Sequence, residues 1–235
     1  MKKSGIAMLI VFFILIPLTL YAGTLIPGSL LSGRSYYITG TMIILEVMIP
    51  FFMAFEGRKP QARELVVIAV LCALAVVGRV AIPIPHFKAV YAIIMLSGVA
   101  FGAQTGFVVG AVTAFASNFF YGQGPYLPWQ MMAYGAGGML MGFLFGKHRF
   151  PRKSWVMAAI GFLTVVFWIG PLLDSAVVFL VLPEITFENV MPFFVSGFPV
   201  NIIQGVSTAV VIMLIGKKLL EKLERIRTKY GIMEE

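Results

Sequence analysis

The run AVYAIIMLSGVAFGAQTGFVVGAVTAFASNFFYGQGPYLPWQMMAYGAGGMLMGFLFG, Ala89–Gly146, contains no Lys, Arg, Asp, Glu or His. The whole chain of 235 residues is 60% hydrophobic and 12% charged, whereas soluble domains carry roughly 25% charged residues. Repeated apolar runs near the length of a membrane span place the chain among membrane proteins. Because the apolar residues do not alternate with a period of two, these runs favour spanning helices over barrel strands.

The number of helices in this run is fixed by the basic residues on either side of it. All but three of the 18 Lys and Arg residues lie in four groups, within 2–3, 58–63, 147–153 and 217–229. The positive-inside rule places all four groups in the cytoplasm, which requires an even number of spans between the second and third groups. One helix over 89–120 would be roughly 48 Å long, against a hydrocarbon core of about 30 Å. Two short helices that turn near Phe101–Gly106 meet both requirements.

We therefore predict an all-α integral membrane protein with eight spans and both termini in the cytoplasm. The predicted spans are 6–27, 37–55, 64–82, 90–103, 105–120, 129–146, 155–182 and 194–216. A soft boundary at Phe55–Arg63 separates an N-terminal transmembrane hairpin, residues 1–56, from a six-helix membrane domain, residues 57–218. The predicted external connections are 28–36, 83–89, 121–128 and 183–193.

Both ends of the chain leave alternatives open. Residues 219–235 form a predicted cytoplasmic amphipathic tail, on which four apolar residues from Leu219 to Ile226 share one face. Such a helix lies along the inner membrane surface or docks a cytoplasmic partner. Residues 1–23 have a basic start, an apolar core and small residues, as a signal peptide does. The apolar run continues to Ile26, which favours a retained first span.

Motifs of enzymatic chemistry are absent from the sequence. It has no Walker pattern and no HExxH motif, and the predicted topology places its two histidines, His86 and His148, on opposite sides of the membrane. No paired-carboxylate site or nucleophile elbow is visible, so we expect no enzyme, no cofactor and no metal site. Topology accounts for most of the net charge of +8, and we expect no nucleic-acid partner.

Polar and aromatic side chains converge on the predicted outer face. The aromatic belt of membrane interfaces is enough to explain Trp129 and Tyr126, but buried amides cost free energy in lipid unless they are satisfied. A small-molecule site has this mixture of apolar walls and a few polar groups. The predicted substrate-binding residues are Arg79, His86, Lys88, Asn118, Tyr121, Gln123, Trp129, Gln130, Tyr134, Asp174, Asn201 and Gln204.

Three charged residues lie inside predicted spans. Charged residues in spans usually face the protein interior or a water-filled cavity. Arg79 and Asp174 have similar predicted depths, so they either form an ion pair or contact a ligand. Glu46, in the hairpin, has no partner that the sequence identifies.

Glycines recur at helical spacing in the uncharged run. Small residues at this spacing let helix backbones approach closely, and packing within the chain is the interpretation that we favour. The two rows are Gly98, Gly102, Gly106, Gly110 and Gly138, Gly142, Gly146. The turn near Phe101–Gly106 interrupts the first row, so its members do not all share one helix.

Two segments of the sequence carry a family resemblance. ELVVIAVLCALAVVGRVAI (64–82) contains Ala69 and Ala73 four residues apart, and GQGPYLPWQM (122–131) follows the third helix of the six-helix domain. Over about 64–220 the chain resembles the substrate-binding S component of energy-coupling factor (ECF) vitamin transporters. The hairpin departs from the six-helix pattern of that family, and its role is unexplained.

The resemblance implies a function and its partners. An S component has no enzymatic activity; it binds a vitamin outside a prokaryotic plasma membrane through the loops after its first, third and fifth helices. It then associates with a transmembrane coupling protein and two cytoplasmic ATPases and reorients to release the vitamin inside. The resemblance implies that Ala69 and Ala73 face the coupling protein. The general look is closest to the cobalamin or corrinoid type, and another vitamin or precursor is an equal alternative.

Two other functions remain open at this point. A self-sufficient secondary transporter would couple uptake to ions through an acid within the membrane, such as Glu46 or Asp174. A membrane enzyme or assembly factor would need a catalytic constellation at membrane depth, and the sequence shows none.

Overall fold

The computed structural model describes residues 3–24, 35–146 and 150–232. Within these ranges the chain forms eight continuous helices and no strand, which confirms the all-α class. The helices are α1 (3–24), α2 (Ser35–Glu56), α3 (Ala62–Val80), α4 (Val90–Phe101), α5 (Ala103–Tyr121), α6 (Leu127–Phe145), α7 (Ser154–Val181) and α8 (Phe187–Tyr230). Most of the predicted connection 28–36 and the basic residue pair Lys147 and Arg149, with His148, lie outside the described residues.

Each helix lies on one of the eight predicted spans. By length and composition, three of them are apolar and long enough to cross a membrane: Tyr37–Glu56, Ser154–Val181 and Phe187–Tyr230. The largest boundary error concerns α8, which begins at Phe187 although the sequence predicted an external loop as far as residue 193. The hydroxyl of Thr186 caps this helix by accepting a hydrogen bond from the backbone N–H of Asn189, at 3.3 Å. Ser/Thr caps of this kind satisfy one of the free N–H groups at a helix start.

The predicted helix break is present at Gly102, between α4 and α5. Gly102 has φ of 92°, in a region that side chains with a β-carbon rarely adopt and that glycine adopts at little cost. The break leaves α4 with only 12 residues, or roughly 18 Å of helix. All of its residues are buried, so α4 is the central helix of the bundle.

The glycine rows place α4, α5 and α6 in backbone contact. A β-carbon on Gly106 would lie 2.5 Å from the carbonyl oxygen of Gly138 and 2.8 Å from the Cα of Gly98. A β-carbon on Gly142 would lie 2.7 Å from the Cα of Ala103. Real β-carbons do not approach other atoms so closely, so these positions accept only glycine without a shift of the helices. This confirms the interpretation of the rows as packing within the chain.

The N-terminal hairpin, α1 and α2, packs on the side of the bundle formed by α5, α6 and α7. Phe51 and Phe52 of α2 contact the buried ring of Phe107, with ring centroids 4.7 and 5.7 Å apart. Within the hairpin, the Thr19 hydroxyl donates to Glu46 Oε1 at 2.6 Å. The sequence identified no partner for Glu46, and the structure gives it one on α1.

The C-terminal part of α8 packs on the bundle. Leu220 and Leu223 are buried in the main core cluster, and Leu219 and Ile226 pack partly against it. This corrects the interpretation of the tail as a helix along the membrane surface, because its apolar face is already covered. The sequence pattern shows only that the helix has an apolar face, and the same pattern fits either location.

Arg152 closes the bundle end at which this tail lies. Its guanidinium donates to the carbonyl oxygens of Phe145 at 2.9 Å, Gly146 at 2.9 Å and Val99 at 3.2 Å, and it also donates to the Glu224 carboxylate. Helix C-terminal carbonyl groups lack partners within their own helix. Burial lowers the pKa of the Arg152 guanidinium, and the charge of Glu224 acts in the opposite direction.

We expect Gly106→Ala to lower the free energy of unfolding by about 1–3 kcal/mol, because its methyl group overpacks the contact with Gly138. Gly216→Ala is the matched control. Its β-carbon would meet side chains and no backbone, with Ile212 Cγ2 at 3.3 Å and Leu96 Cδ2 at 3.6 Å. Detergent-mediated unfolding of the purified variants measures both changes, and equal losses would contradict backbone contact between α5 and α6.

Candidate substrate-binding site

A cavity of about 170 Å³ lies at the end of the bundle opposite Arg152. Its walls come from the end of α3, the α3–α4 loop, the start of α4, the end of α5, α6 and α8. The lining residues are Arg79, His86, Lys88, Val90, Tyr91, Tyr121, Tyr134 and Gln204. We call this the cavity end of the bundle.

The α3–α4 loop that borders the cavity is held by several hydrogen bonds. The backbone N–H of Ala89 donates to the Gly78 carbonyl at 2.9 Å, and Ser207 Oγ of α8 donates to the Lys88 carbonyl at 2.6 Å. The Lys88 ammonium donates to the carbonyl of Ile82. His86 has φ of 59°, a left-handed conformation that is uncommon for residues other than glycine. The side chains of His86 and Lys88 therefore reach the cavity from a loop whose backbone is held in place.

Arg79 is the cation at the centre of the site. One of its guanidinium nitrogens, Nη1, donates to Ser117 Oγ and, at 2.9 Å, to Asn118 Oδ1. The guanidinium also lies over the rings of Tyr121 and Tyr134, 4.8 and 5.6 Å from their centroids, as in cation–π pairs. In the described part of the chain, the other guanidinium nitrogens have no acceptor. They are donors that a ligand can use.

Behind Arg79, a second layer of amides holds its partners. Asn118 is 1% exposed, and its Nδ2 donates to Gln130 Oε1 at 2.6 Å. On the other side, the Tyr121 hydroxyl donates to the Arg79 carbonyl at 2.9 Å. These contacts fix the guanidinium between the end of α5 and the start of α6.

A tyrosine pair forms the inner wall of the cavity. The rings of Tyr91 and Tyr134 meet edge to face with centroids 4.9 Å apart, and the Tyr91 hydroxyl donates to Gln204 Oε1 at 3.3 Å. Val90 and Tyr91 line the cavity but were not among the residues predicted from the sequence. Only their position could have indicated this role, because they directly follow the predicted external loop 83–89 at the start of an apolar helix.

The charge balance of the cavity is positive. Arg79 and Lys88 line it, and no Asp or Glu is among its lining residues. Asp174, the carboxylate within α7, accepts a hydrogen bond from Asn201 Nδ2 at 2.8 Å and forms no ion pair with Arg79. The ion-pair interpretation is therefore wrong. The cavity suits neutral, electron-rich or anionic groups and disfavours cations.

Eight of the twelve predicted site residues lie in or directly behind the cavity wall, and four lie elsewhere. Arg79, His86, Lys88, Tyr121, Tyr134 and Gln204 line the cavity, and Asn118 and Gln130 lie directly behind it. Asp174 and Asn201 form their own pair between α7 and α8. Gln123 is exposed and donates to the Phe115 carbonyl. Trp129 is 1% exposed and packs between Tyr37 and Phe179 instead of lining the cavity.

The predicted partner surface on α3 is uncovered by the rest of the described chain. Ala69 and Ala73 are exposed, and they lie among exposed valines at helical spacing: Val66 is 62%, Val70 60% and Val77 56% exposed. The small alanines in this apolar stripe would let another helix approach closely.

The fold and the site together define a multi-pass helical membrane protein with a partly polar cavity at one end. The model of one family, described as ECF-type riboflavin transporter, S component, matches residues 59–221. This match covers more than half of the chain, and the chain belongs to that family, whose members are transporter subunits and not enzymes. The family resemblance seen in the sequence is thereby confirmed. Neither the search of curated proteins nor that of solved structures returned a match.

We expect Asn118→Leu to lower the free energy of unfolding by about 1–3 kcal/mol, because it leaves Arg79 and Gln130 short of a buried partner. Asn118→Asp is the matched control. Its carboxylate still accepts from Arg79, and the Gln130 amide can turn to donate to it. Thermal unfolding of the three proteins measures the difference, and equal stability of the Leu and Asp variants would contradict this bridging role.

Proposed function

We propose that this chain is the substrate-specific subunit of an ECF-type importer and that it captures riboflavin or a closely related flavin. In this proposal all eight helices span a prokaryotic plasma membrane, both termini are cytoplasmic, and the cavity end faces outside. The observation that carries the proposal is the cavity itself, which lies within the residues that match the riboflavin family.

The chemistry of the cavity suits a flavin. Riboflavin has a planar aromatic ring system, carbonyl acceptors and a hydroxylated chain. The rings of Tyr91 and Tyr134 offer an aromatic wall, and the free guanidinium donors of Arg79 suit carbonyl oxygens. Gln204 and Lys88 add polar contacts for hydroxyl groups. A few directed polar groups on aromatic walls are the usual composition of a ligand pocket.

The size of the cavity supports a flavin over a corrinoid. At about 170 Å³ it is smaller than the roughly 300–1,000 Å³ of typical ligand pockets. We propose that the flavin ring fills it and that the hydroxylated chain extends under the neighbouring loops. A corrinoid macrocycle is much larger than a flavin ring, and the matching family is the riboflavin one. Both observations argue against the cobalamin type that the sequence suggested.

The closed opposite end constrains how the substrate leaves. Arg152 joins the ends of α4 and α6 to α8, and α4 is buried along its whole length. A path through the bundle would have to break this packing. Release from the cavity end after reorientation of the whole subunit would leave it intact, which supports action together with a coupling protein and two ATPases.

Riboflavin binding to the purified protein tests the substrate. We expect its fluorescence to be quenched at one equivalent, and we expect Arg79→Ala to weaken binding by at least about tenfold, because a charge-assisted hydrogen bond is lost. Lys229→Ala, a cation near the far end of α8, is the control and should bind normally. Cobalamin and thiamine serve as competitors, and we expect that neither displaces riboflavin. Binding of cobalamin without binding of riboflavin would refute the flavin proposal.

The α3 stripe gives a second prediction, on transport. Replacement of Ala69 and Ala73 by Leu should reduce uptake in cells that hold the coupling protein and ATPases by at least about tenfold, since the bulky side chains block helix approach. Riboflavin binding should remain within about twofold, because the stripe lies away from the cavity. Val66→Leu and Val70→Leu, on the same stripe but already bulky, form the matched control.

Loss of binding together with transport in the Ala69 and Ala73 variant would contradict a partner role for this surface. Uptake driven by a proton gradient without the coupling protein and ATPases would instead favour a secondary transporter. In that case Glu46, bound to Thr19 in the hairpin, would be the first acid to examine.

A further inference from the structure

The N-terminal hairpin lies outside the residues that match the family model, 59–221, yet it contacts the cavity end of the bundle. The contact is made by Tyr37 and Gly40, near the start of α2. It falls on the α5–α6 loop and on the first turn of α6, which carry several groups of the candidate site.

Trp129, in the first turn of α6, is the centre of the contact. Its ring stacks on Tyr37 with centroids 5.6 Å apart and an interplanar angle of 19°, and Phe179 of α7 covers its other side with centroids 6.0 Å apart. A β-carbon on Gly40 would lie 3.0 Å from the Trp129 ring. The indole is thus enclosed by two helices, and the glycine allows the hairpin to approach it.

A hydrogen bond fixes the loop before this turn. The Tyr37 hydroxyl donates to the carbonyl of Pro125, two residues before α6 begins. The α5–α6 loop starts at Gly122, which has φ of 94° and joins the loop to the cavity-lining Tyr121. The loop is therefore held at one end by the end of α5 and near the other by the hairpin.

A short chain of contacts leads from this turn to the cavity. Gln130 follows Trp129 directly and accepts from Asn118 Nδ2 at 2.6 Å. Asn118 Oδ1 accepts from Arg79 at 2.9 Å. The position of the first turn of α6 therefore sets where Asn118, and with it the Arg79 guanidinium, is held.

We propose that the hairpin is a positioning element for the binding site: Tyr37 and Gly40 hold the first turn of α6, which in turn orients Arg79 toward the cavity. Tyr37 is a positioning residue and does not touch the substrate. The part of the inference that concerns binding rests on the proposed flavin function. The part that concerns the loop and helix turn does not.

The test uses four variants of the full-length chain. Tyr37→Phe keeps the stacked ring and removes the hydroxyl donor. Gly40→Val places a branched side chain against Trp129. The controls are Tyr126→Phe, a hydroxyl in the same loop that has no hydrogen-bond partner in the described chain, and Met42→Val, a 51% exposed position on the same helix.

Amide hydrogen exchange without ligand is the first measurement. We expect Tyr37→Phe and Gly40→Val to raise exchange in 121–131 several-fold and to leave α3 unchanged, because only the turn and loop lose their support. The two controls should match the wild type. Unchanged exchange in 121–131 in both test variants, or an equal rise in the controls, would overturn the inference. Tyr37→Phe, the milder change, carries the test even when Gly40→Val does not fold.

Riboflavin dissociation is the second measurement. We expect it to be about three- to tenfold faster in Tyr37→Phe, the range that the loss of one hydrogen bond gives. In an Asn118→Leu background the same change should have no further effect, since the chain of contacts is already broken. A wild-type rate in Tyr37→Phe, or full additivity, would overturn the link to Arg79. Increased exchange in 121–131 while the wild type fails to bind riboflavin would refute the flavin function and support the role of the hairpin.

Discussion

The backbones of α5 and α6 meet at Gly106 and Gly138, and the arrangement of the bundle depends on this contact. In lipid, apolar helices gain no hydrophobic free energy by associating, so close van der Waals packing has to hold them together. The glycines permit that packing by removing the side chains that would separate the helices. With α5 and α6 this close, α4 is enclosed among them and α8, and its residues are buried on every side. A central helix in this position brings Tyr91, near its start, to the wall of the cavity.

The arginines at the two ends of the bundle differ in how many of their guanidinium nitrogens have acceptors in the protein. All three guanidinium nitrogens of Arg152 donate to protein acceptors, which satisfies helix-end carbonyls and closes that end. Arg79 donates through one nitrogen to Ser117 and Asn118, and among the described residues the other nitrogens have no acceptor. These nitrogens are not fully buried, so their lack of a protein partner costs little free energy. They remain available to a ligand at the cavity end.

The sequence predicts the helices well because charge and length act on whole segments. Two constraints, the placement of the Lys and Arg groups in the cytoplasm and the maximum length of a span, required a break near Gly102. The structure contains this break. The start of α8 was missed because Pro192 and several polar residues looked like loop, while a single threonine cap begins the helix earlier. The apolar face of the tail was recognised, but its location depends on tertiary contacts of Leu220 and Leu223 that periodicity does not reveal.

The site residues were predicted from their depth in the membrane, and depth alone does not show which way a side chain points. Residues at the outer helix ends were grouped together, and those with polar groups on α3, α5, α6 and α8 do meet at the cavity. Gln123 and Trp129 have the same predicted depth but point elsewhere, because one bonds back to α5 and the other faces the hairpin. Tyr91 was missed since nothing in an unbroken apolar run distinguishes a wall of a cavity from a buried core.

The placement of Trp129 changes how the hairpin is understood. An indole at this depth would ordinarily be assigned to the membrane interface, where one edge stays near water. Here it is 1% exposed, and the hairpin covers it with Tyr37 from one side. Without the hairpin, one face of this indole and the Pro125 carbonyl would lose their partners beside the α5–α6 loop. The six-helix domain therefore packs Trp129 against the two additional helices. This contact explains in packing terms why the hairpin accompanies the domain.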